Sequence, residues 1–548
     1  MWGKGITKKC NKKLVFAVVG LNIISLSGCG EESDIKEIEQ ETWTTINRTR
    51  VSVHDPSLTY LVDEGGKEEY YIFGTHLAQA KSEDLLTWDV PFNVEYENME
   101  NNMLYGNTPE NLAETFEWAG YDDADSQDGY GLWAPDVIWN EEYEWSDGSL
   151  GAYMLYYSSS STWRRSAIGF AVAKTIEGPY SYASTVVYSG FTEKDSTDGS
   201  ERNINYQNTN LKKLIKDGTI SEFNDNWSIE NGLTYNTDYA PNAIDPALFH
   251  DKDGKLWMTY GSWSGGIFIL EINPATGKAI YPGEDSTTPD GRIIDRYFGT
   301  KLSGGYHQSG EGPYIVYDQE SGYYYLFVTY GGLSATGGYN MRLFRSGNPD
   351  GPYVDAKGNS PIIDKGDQNY RYGIKLIGNY QFSHQKVGFR AAGHNSAFID
   401  KDGQWYLVFH TRFNNGAENH EVRVHQMFMN EKGWPVPVPY EYDGSEHAPE
   451  ALDNSEVIGR YEFINHGTDN GKTMLPTQTI HLESNGEITG DVMGSWEQRD
   501  NGYIRITMDG IVYDGNLLYQ TVENEETDFL TFSAIGENNE VIWGSKAE

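Results

Sequence analysis

Short apolar runs, glycine- and aspartate-rich turns and strands of alternating aromatics follow one another five times along the chain. The stretches are "HDPSLTYLVDEGGKEEYYIFGTH", "APDVIWNEEYEWSDGSLGAYMLYYSSS", "NAIDPALFHDKDGKLWMTYG", "EGPYIVYDQESGYYYLFVTYGG" and "GHNSAFIDKDGQWYLVFHTR". In each, a polar or acidic residue stands beside a proline or small residue, followed by an apolar strand, a turn and an aromatic strand. Each continues into further strand-like pieces: "HLAQAKSEDLLTW", "AIGFAVAKTIEGPY", "GGIFILEINPATGK", "NMRLFRSGNPDGPY" and "EVRVHQMFMNEKGWPV". No unit sustains the period of about 3.6 that a long amphipathic helix requires. Three or four strands per repeat predict an all-β fold, a five-bladed β-propeller over residues 49–442.

The key residues of the repeats, Asp55, Asp136, Asp245, Glu311 and His394, lie farther apart than the roughly 40 to 50 residues a bare blade needs. The surplus falls near 89–130, 187–240, 279–306 and 354–392, polar loops expected to wall a cleft on one face. Beyond "PVPVPYEYDGSEHAPEALDNSE" the pattern changes to short strands joined by Asn-Gly and Asp-Gly turns, such as "QTIHLESNGEITGDV" and "YIRITMDGIVYDG". This predicts a second, small all-β domain, a barrel or sandwich, over 443–548. It carries no paired acids, metal spacing or nucleophile motif, so a structural or carbohydrate-contacting accessory role is expected.

The N-terminus has a different character. Five lysines precede an apolar run from Leu14 to Leu26, and the stretch ends Leu-Ser-Gly-Cys. Residues 1–28 read as an export signal of the lipoprotein type, with Cys29 acylated and the chain held at the outside of a bacterial membrane. An ordinary cleaved signal, with Cys29 incidental, is the alternative. Residues 29–48 are acidic and weakly patterned, as a tether is. Of the two cysteines, Cys10 lies within the signal, so a mature chain beginning at Cys29 forms no internal disulfide. Losing the five signal lysines and no acid takes the formal charge from −40 to −45. That field repels polyanions, so nucleic acid is excluded as a partner and acidic pectin is a poor substrate, whereas a neutral polymer is not opposed. The 39 tyrosines and 15 tryptophans suit β-sheet cores and sugar faces alike.

In a propeller the first strand of every blade runs beside the central axis, so corresponding ends converge. Asp55, Asp136, Asp245 and Glu311, with His394, are expected at one mouth. Crowded carboxylates raise one another's pKa, so one stays protonated while another is ionised. A protonated acid facing an ionised one is the apparatus for cleaving a glycosidic bond. A proline after the acid is expected to hold it in extended geometry. The alternative for any single position, and most of all Asp136, is a turn aspartate bonded to its own backbone.

Together "VHDPSL", "NAIDPALF" with "GSWSGGIFILEI", "SGEGPYIVY", "TYGGLSATGGYNMRLFRSGNPDGPY" and "GHNSAF" resemble glycoside hydrolase family 43, most closely its two-domain endo-α-1,5-L-arabinanases, from about Val51 to Tyr442. The resemblance implies inverting hydrolysis of arabinan and arabino-oligosaccharides. Asp55 would be the general base, Glu311 the general acid, and Asp245 the residue that orients the acid and keeps its pKa high. His394 would stand beside a calcium ion held largely by water; a neutral histidine hydrogen-bonded in the axial channel is the alternative. Sugar contacts would come from His54, Trp133, Trp163, Asn242 and Ser262, although Trp133 could equally be a core residue. The Trp163 stretch, "SSSSTWRRSA", carries two arginines where similar arabinanases are more neutral. A monomer is expected. Rival readings are an exo-acting α-L-arabinofuranosidase or β-xylosidase of the same family, a surface lipoprotein that binds oligosaccharide without cutting it, and a retaining β-fructosidase.

Overall fold

The computed structural model describes residues 46–547 apart from 91–110, 122, 446, 524 and 526–527. The expected signal over 1–28, Cys29, most of the expected tether and part of the 89–130 loop lie outside the described residues. Helices among the described residues are short, as in Ala113–Ala119, Leu211–Lys216 and Asn454–Val457.

Each of the five repeats opens an antiparallel sheet. The first holds Ser57–Val62, Glu68–Phe73 and Gln79–Ser82, and the second Leu132–Glu144, Leu150–Ser159, Ala167–Ala173 and Ser181–Tyr188. The third is built on Ala247–His250, Leu256–Tyr260, Ile267–Ile272 and Gly299–Ser303. The fourth holds Glu311–Asp318, Tyr323–Tyr330, Asn340–Ser346 and Ile374–Lys375, and the fifth Phe389–Ile399, Trp405–Phe413, His420–Met429 and Pro435–Pro437. Turn aspartates close the hairpins: Asp251 Oδ1 accepts from the N–H groups of Asp253 and Lys255, both at 2.9 Å, beside Gly254 at φ +82°.

The sheets pack face to face, which explains why their middle strands are apolar on both sides. Trp405, Leu407 and Phe409 pack with Tyr325 and Phe327 of the fourth sheet, while Tyr406 and Val408 pack with Tyr70 and Ile72 of the first. The five opening strands touch in cyclic order, the fifth meeting the first. Bonds between side chain and backbone cross every junction. Thr59 Oγ1 donates to Val137 O (2.7 Å), Leu248 N–H to Asp136 Oδ2 (2.6 Å), Gly312 N–H to Asp245 Oδ2 (3.2 Å), His394 N–H to Thr329 Oγ1 (2.8 Å) and Leu58 N–H to Ser396 Oγ (3.1 Å). The arrangement is that of a β-propeller.

Not all the surplus chain is loop. Short strands at 286–287 and 293–295 extend the third sheet, and 374–375 completes the fourth. The 187–240 segment brings apolar residues into the core, where Trp227 is fully buried and its indole N–H donates to Asp295 Oδ2 at 2.8 Å.

From Gly459–Asn465 to Val541–Lys546 eight strands form a closed barrel. Its Ile464, Val522, Phe529 and Trp543 share a core with Phe409, Trp434 and Tyr440 of the fifth-sheet region. Trp543 is fully buried there and donates to Pro437 O at 2.8 Å. Trp543→Ala should therefore destabilise the chain by about 3–5 kcal/mol, measured by denaturant unfolding; a cost below about 1 kcal/mol would show that the joint core holds nothing together.

Candidate active site

The chain enters the ring five times in one backbone conformation. Asp55, Ala134, Asp245, Gly312 and His394 have φ of 55°, 38°, 57°, 56° and 46°. The first four precede Pro56, Pro135, Pro246 and Pro313, and the fifth precedes Asn395. In the second, fourth and fifth sheets the ladder is bulged across this point, between Trp133 and Asp136, Glu311 and Tyr314, and Gly393 and Ser396. Bulges re-aim side chains, here toward the mouth of the ring.

Two expectations need correction. The residue before the proline is left-handed rather than extended, a conformation that costs about 1–3 kcal/mol and that aspartate tolerates better than most residues. The repeat register also shifts: Ala134, not Asp136, matches Asp55 in the second sheet, and Glu311 stands one residue before the matching Gly312. Gly312 suits its place because a Cβ there would lie 2.8 Å from the His394 ring. Asp136 faces inward, accepting from Ser57 Oγ and Leu248 N–H and so tying three sheets together. Burial pushes its carboxyl up to about 6 against those bonds.

Asp55 is gripped on all sides. Its Oδ1 lies 2.8 Å from His54 Nδ1 and 2.9 Å from His394 Nδ1, its Oδ2 accepts from Thr75 Oγ1 at 2.5 Å, and its N–H donates to His410 Nδ1 at 3.2 Å. Thr75 Oγ1 in turn accepts from Ala134 N–H at 2.9 Å. Burial works to raise the Asp55 carboxyl, but the imidazoles of His394 and His54 outweigh it and hold the group well below the usual carboxylate range. Burial likewise disfavours charge on His394, yet Asp55 above all carries its imidazole up to about 9.

Asp245 is treated in the opposite way. Burial, helped by the carboxylates of Glu311 and Asp55 and opposed by His394, pushes it up to about 7. Glu311 is held at both oxygens: Tyr339 OH donates to Oε1 at 2.6 Å, Trp263 Nε1–H to Oε2 at 2.8 Å and Ser262 Oγ to Oε2 at 3.3 Å. Asp55, Asp245, Gly312 and His394, with Asp136 and Asn395, line an axial cavity of about 20 Å³. Both amide atoms of Asn395 are buried without a hydrogen-bond partner.

Of the residues expected to touch sugar, two serve the carboxylates. His54 contacts Asp55, stacks on His410 at 4.0 Å and brings Nε2 to 3.4 Å from Arg412 Nη2, while Ser262 is buried against Glu311. Asn242 is buried, its Oδ1 accepting from Ser189 Oγ at 3.3 Å. Trp133 is half-buried, its indole N–H on Asp125 O at 3.0 Å and its ring edge-on to His76 at 5.6 Å. Trp163 is half-buried against Gly199, with the Arg165 guanidinium 5.9 Å from its ring. Of the two arginines there, Arg165 is buried and structural, donating to Trp118 O at 2.8 Å and Ala119 O at 2.9 Å.

The donor chemistry around His394 fits a hydrated cation. Its Nδ1 is tied to a carboxylate, the arrangement usual for metal-ligating imidazoles, so that Nε2 would be the ligating nitrogen once an ion displaces its proton. The neighbouring groups are oxygen donors, among them the unpartnered Asn395 amide oxygen.

An ionised carboxylate, a carboxyl pushed toward neutrality and a glutamate caught between three donors are groups of the kind that glycoside hydrolysis requires. The profile of glycosyl hydrolases family 43 matches residues 220–435, and that of a C-terminal lipocalin-like domain matches 439–544. The chain is 40% identical to extracellular endo-alpha-(1->5)-L-arabinanase 2 of Bacillus subtilis (strain 168) over 509 residues, covering 90% of this chain and 93% of that protein. It is 37% identical over 508 residues to the extracellular endo-alpha-(1->5)-L-arabinanase of Thermotoga petrophila, covering 90% and 94%. The crystal structure of endo-1,5-alpha-L-arabinanase from Thermotoga petrophila RKU-1 superposes with a TM-score of 0.73 at 36% identity, covering 92% of this chain and all of that one. The chain belongs to glycoside hydrolase family 43.

Proposed function

We propose that this hydrolase is an exported, endo-acting arabinanase that cleaves α-1,5-L-arabinofuranosidic bonds with inversion on a five-bladed propeller. The observation that carries the mechanism is the opposite treatment of two carboxyls at one mouth, Asp55 held ionised and Asp245 pushed toward neutrality. The substrate and the internal mode of attack rest on the relatives, which carry that activity in their names over nine-tenths of this chain. The five sheets with cyclically touching first strands support the blade count.

Asp55 takes a proton from the water that attacks the anomeric carbon. Glu311 gives its proton to the departing sugar oxygen, and the N–H of Trp263 and the OH of Tyr339 stabilise the carboxylate that forms, so these bonds strengthen as the reaction proceeds. Asp245, fixed by the N–H of Gly312 next to Glu311 in the chain, is our assignment for the residue that orients the acid. Trp133, Trp163 and Asn242 remain our assignment for the sugar subsites, with His54 and Ser262 acting at least on the carboxylates.

Calcium, held by His394 and water, would supply fixed positive charge beside Asp55. Chelation should lower kcat on linear arabinan and also lower the melting temperature, both restored by added calcium; if neither moves, the metal assignment is wrong. Lipid attachment at Cys29 and a monomeric state complete the proposal. The decisive test is the product distribution from linear arabinan: a ladder of oligosaccharides at early times, with the inverted anomer formed first by proton NMR, is expected. Arabinose alone from the outset would reject endo action, and the retained anomer would reject inversion.

A further inference from the structure

A side chain of the C-terminal barrel, that of Asn470, is bonded to residues that lead to Glu311. Between strands Gly459–Asn465 and Gln478–Leu482 the chain leaves the barrel and lies against the fourth sheet. Arg342, fully buried, donates to Thr468 O at 2.6 Å and to Asn470 Oδ1 at 3.0 Å. Asn340 Nδ2 donates to the same Asn470 Oδ1 at 3.2 Å, and Asn470 Nδ2 donates to Asn369 Oδ1 at 3.2 Å. The Asn470 side chain is therefore used at both ends, two bonds accepted and one given.

Both routes lead to Glu311. Asn340 follows Tyr339, whose hydroxyl holds Glu311 Oε1 at 2.6 Å. The Asn470 backbone also packs on Gly338, the residue before Tyr339, so closely that a Cβ there would lie 2.4 Å from Asn470 O. On the other side, Asn369 Nδ2 donates to the carbonyl and the hydroxyl of Ser309, both at 2.7 Å, and Ser309 lies two residues before Glu311. Ser309 Oγ also accepts from Gly331 N–H at 3.0 Å, joining the two routes across the first pair of strands in that sheet. The Tyr339 loop and the Glu311 strand end are thus clamped from outside the propeller by the same amide.

We infer that Asn470, supplied by the C-terminal domain, is a positioning residue for the Glu311 carboxyl and fixes its place relative to the leaving oxygen. This rests on the reading of Glu311 as the general acid. A shift of about 1 Å in a proton donor costs up to about 100-fold when the leaving group needs that proton, and little when it does not.

The test uses the full chain and two substrates, linear arabinan, whose leaving alcohol needs a proton, and a 2,4-dinitrophenyl α-L-arabinotrioside, whose leaving phenolate does not. Asn470→Ala should lower kcat on arabinan by about tenfold or more with KM little changed, and leave the aryl substrate within about threefold of wild type. An equal loss on both substrates, or no loss on arabinan, overturns the inference. If Asn470→Ala does not fold, Asn369→Ala, which cuts the route nearer Ser309 and leaves the barrel loop unaltered, is held to the same criterion. Glu311→Ala is run beside them: unchanged arabinan cleavage by that variant would remove the acid assignment itself, whereas its loss together with a non-discriminating Asn470→Ala would remove the positioning role alone.

Discussion

Asp55→Asn should lower kcat on linear arabinan by about 10²- to 10⁴-fold and lower the melting temperature as well. Asparagine keeps the shape and still accepts from Thr75, but it cannot take a proton from water, and it leaves the His394 and His54 imidazoles facing a neutral amide. The pH window of the stability loss follows from the shifts. Asp55 lies below its usual value when folded, so its contribution is present above about pH 4 and is lost as pH falls through the folded pKa. His394 is raised to about 9, so its side of the pair is fully present below its unfolded value of 6.5 and is lost as pH rises toward 9. In metal-free protein the difference between variant and wild type should be largest between about pH 4 and 6.5 and should shrink on either side. Activity within tenfold of wild type would take Asp55 out of the reaction, and identical melting curves across the range would show that the imidazoles contribute nothing net.

Asp245→Asn should separate activity from stability. Catalysis should fall by about 100-fold because a carboxyl electrostatically coupled to both Asp55 and Glu311 is gone. Stability should move the other way. The folded pKa of about 7 lies above the model-peptide value of 3.8, so the folded state binds this proton more tightly than the unfolded chain does. Its contribution is complete below that lower value, declines as pH rises to about 7 and leaves a constant penalty above. Asparagine carries no such penalty, so the variant should gain nothing at pH 4 and melt about 2–4 °C higher at pH 8. A variant less stable at every pH would mean that the hydrogen bond from Gly312 outweighs the cost of the buried charge.

The repeats were legible because each opening strand announces itself with a polar residue beside proline or a small residue, and because the Asp-Gly turns are local chemistry. Asp55, Asp245, Glu311 and His394 could be picked out for the same reason. The register in the second sheet could not, since "APD" offers an aspartate on the wrong side of the proline; only the backbone shows Ala134 in the shared left-handed conformation. A proline also predicts an extended neighbour, and nothing in the sequence reveals that a bulge overrides it. Trp263 and Tyr339 were missed as partners of the acids because each is a single aromatic in a glycine-rich segment, "GSWSGG" and "ATGGYN", where nothing tells which group its polar atom meets; His410 was missed because it reads as core, and it is indeed fully buried within Trp405–Phe413, in which every residue is buried. Thr75 carries no signal at all, being one hydroxyl in the short turn that follows an ordinary strand.

The fifth sheet is joined to the segment that leads into the first. Val422 N–H donates to Val51 O at 3.0 Å, and Arg50 grips Glu441 with two bonds of 2.8 Å. During synthesis the nascent protein therefore emerges with its earliest segment unsatisfied until nearly four hundred further residues have cleared the ribosome. Four sheets must wait side by side with an apolar flank uncovered. Chaperone demand, and the yield of soluble enzyme from a heterologous host, should accordingly be set by how quickly translation reaches the last tenth of the propeller.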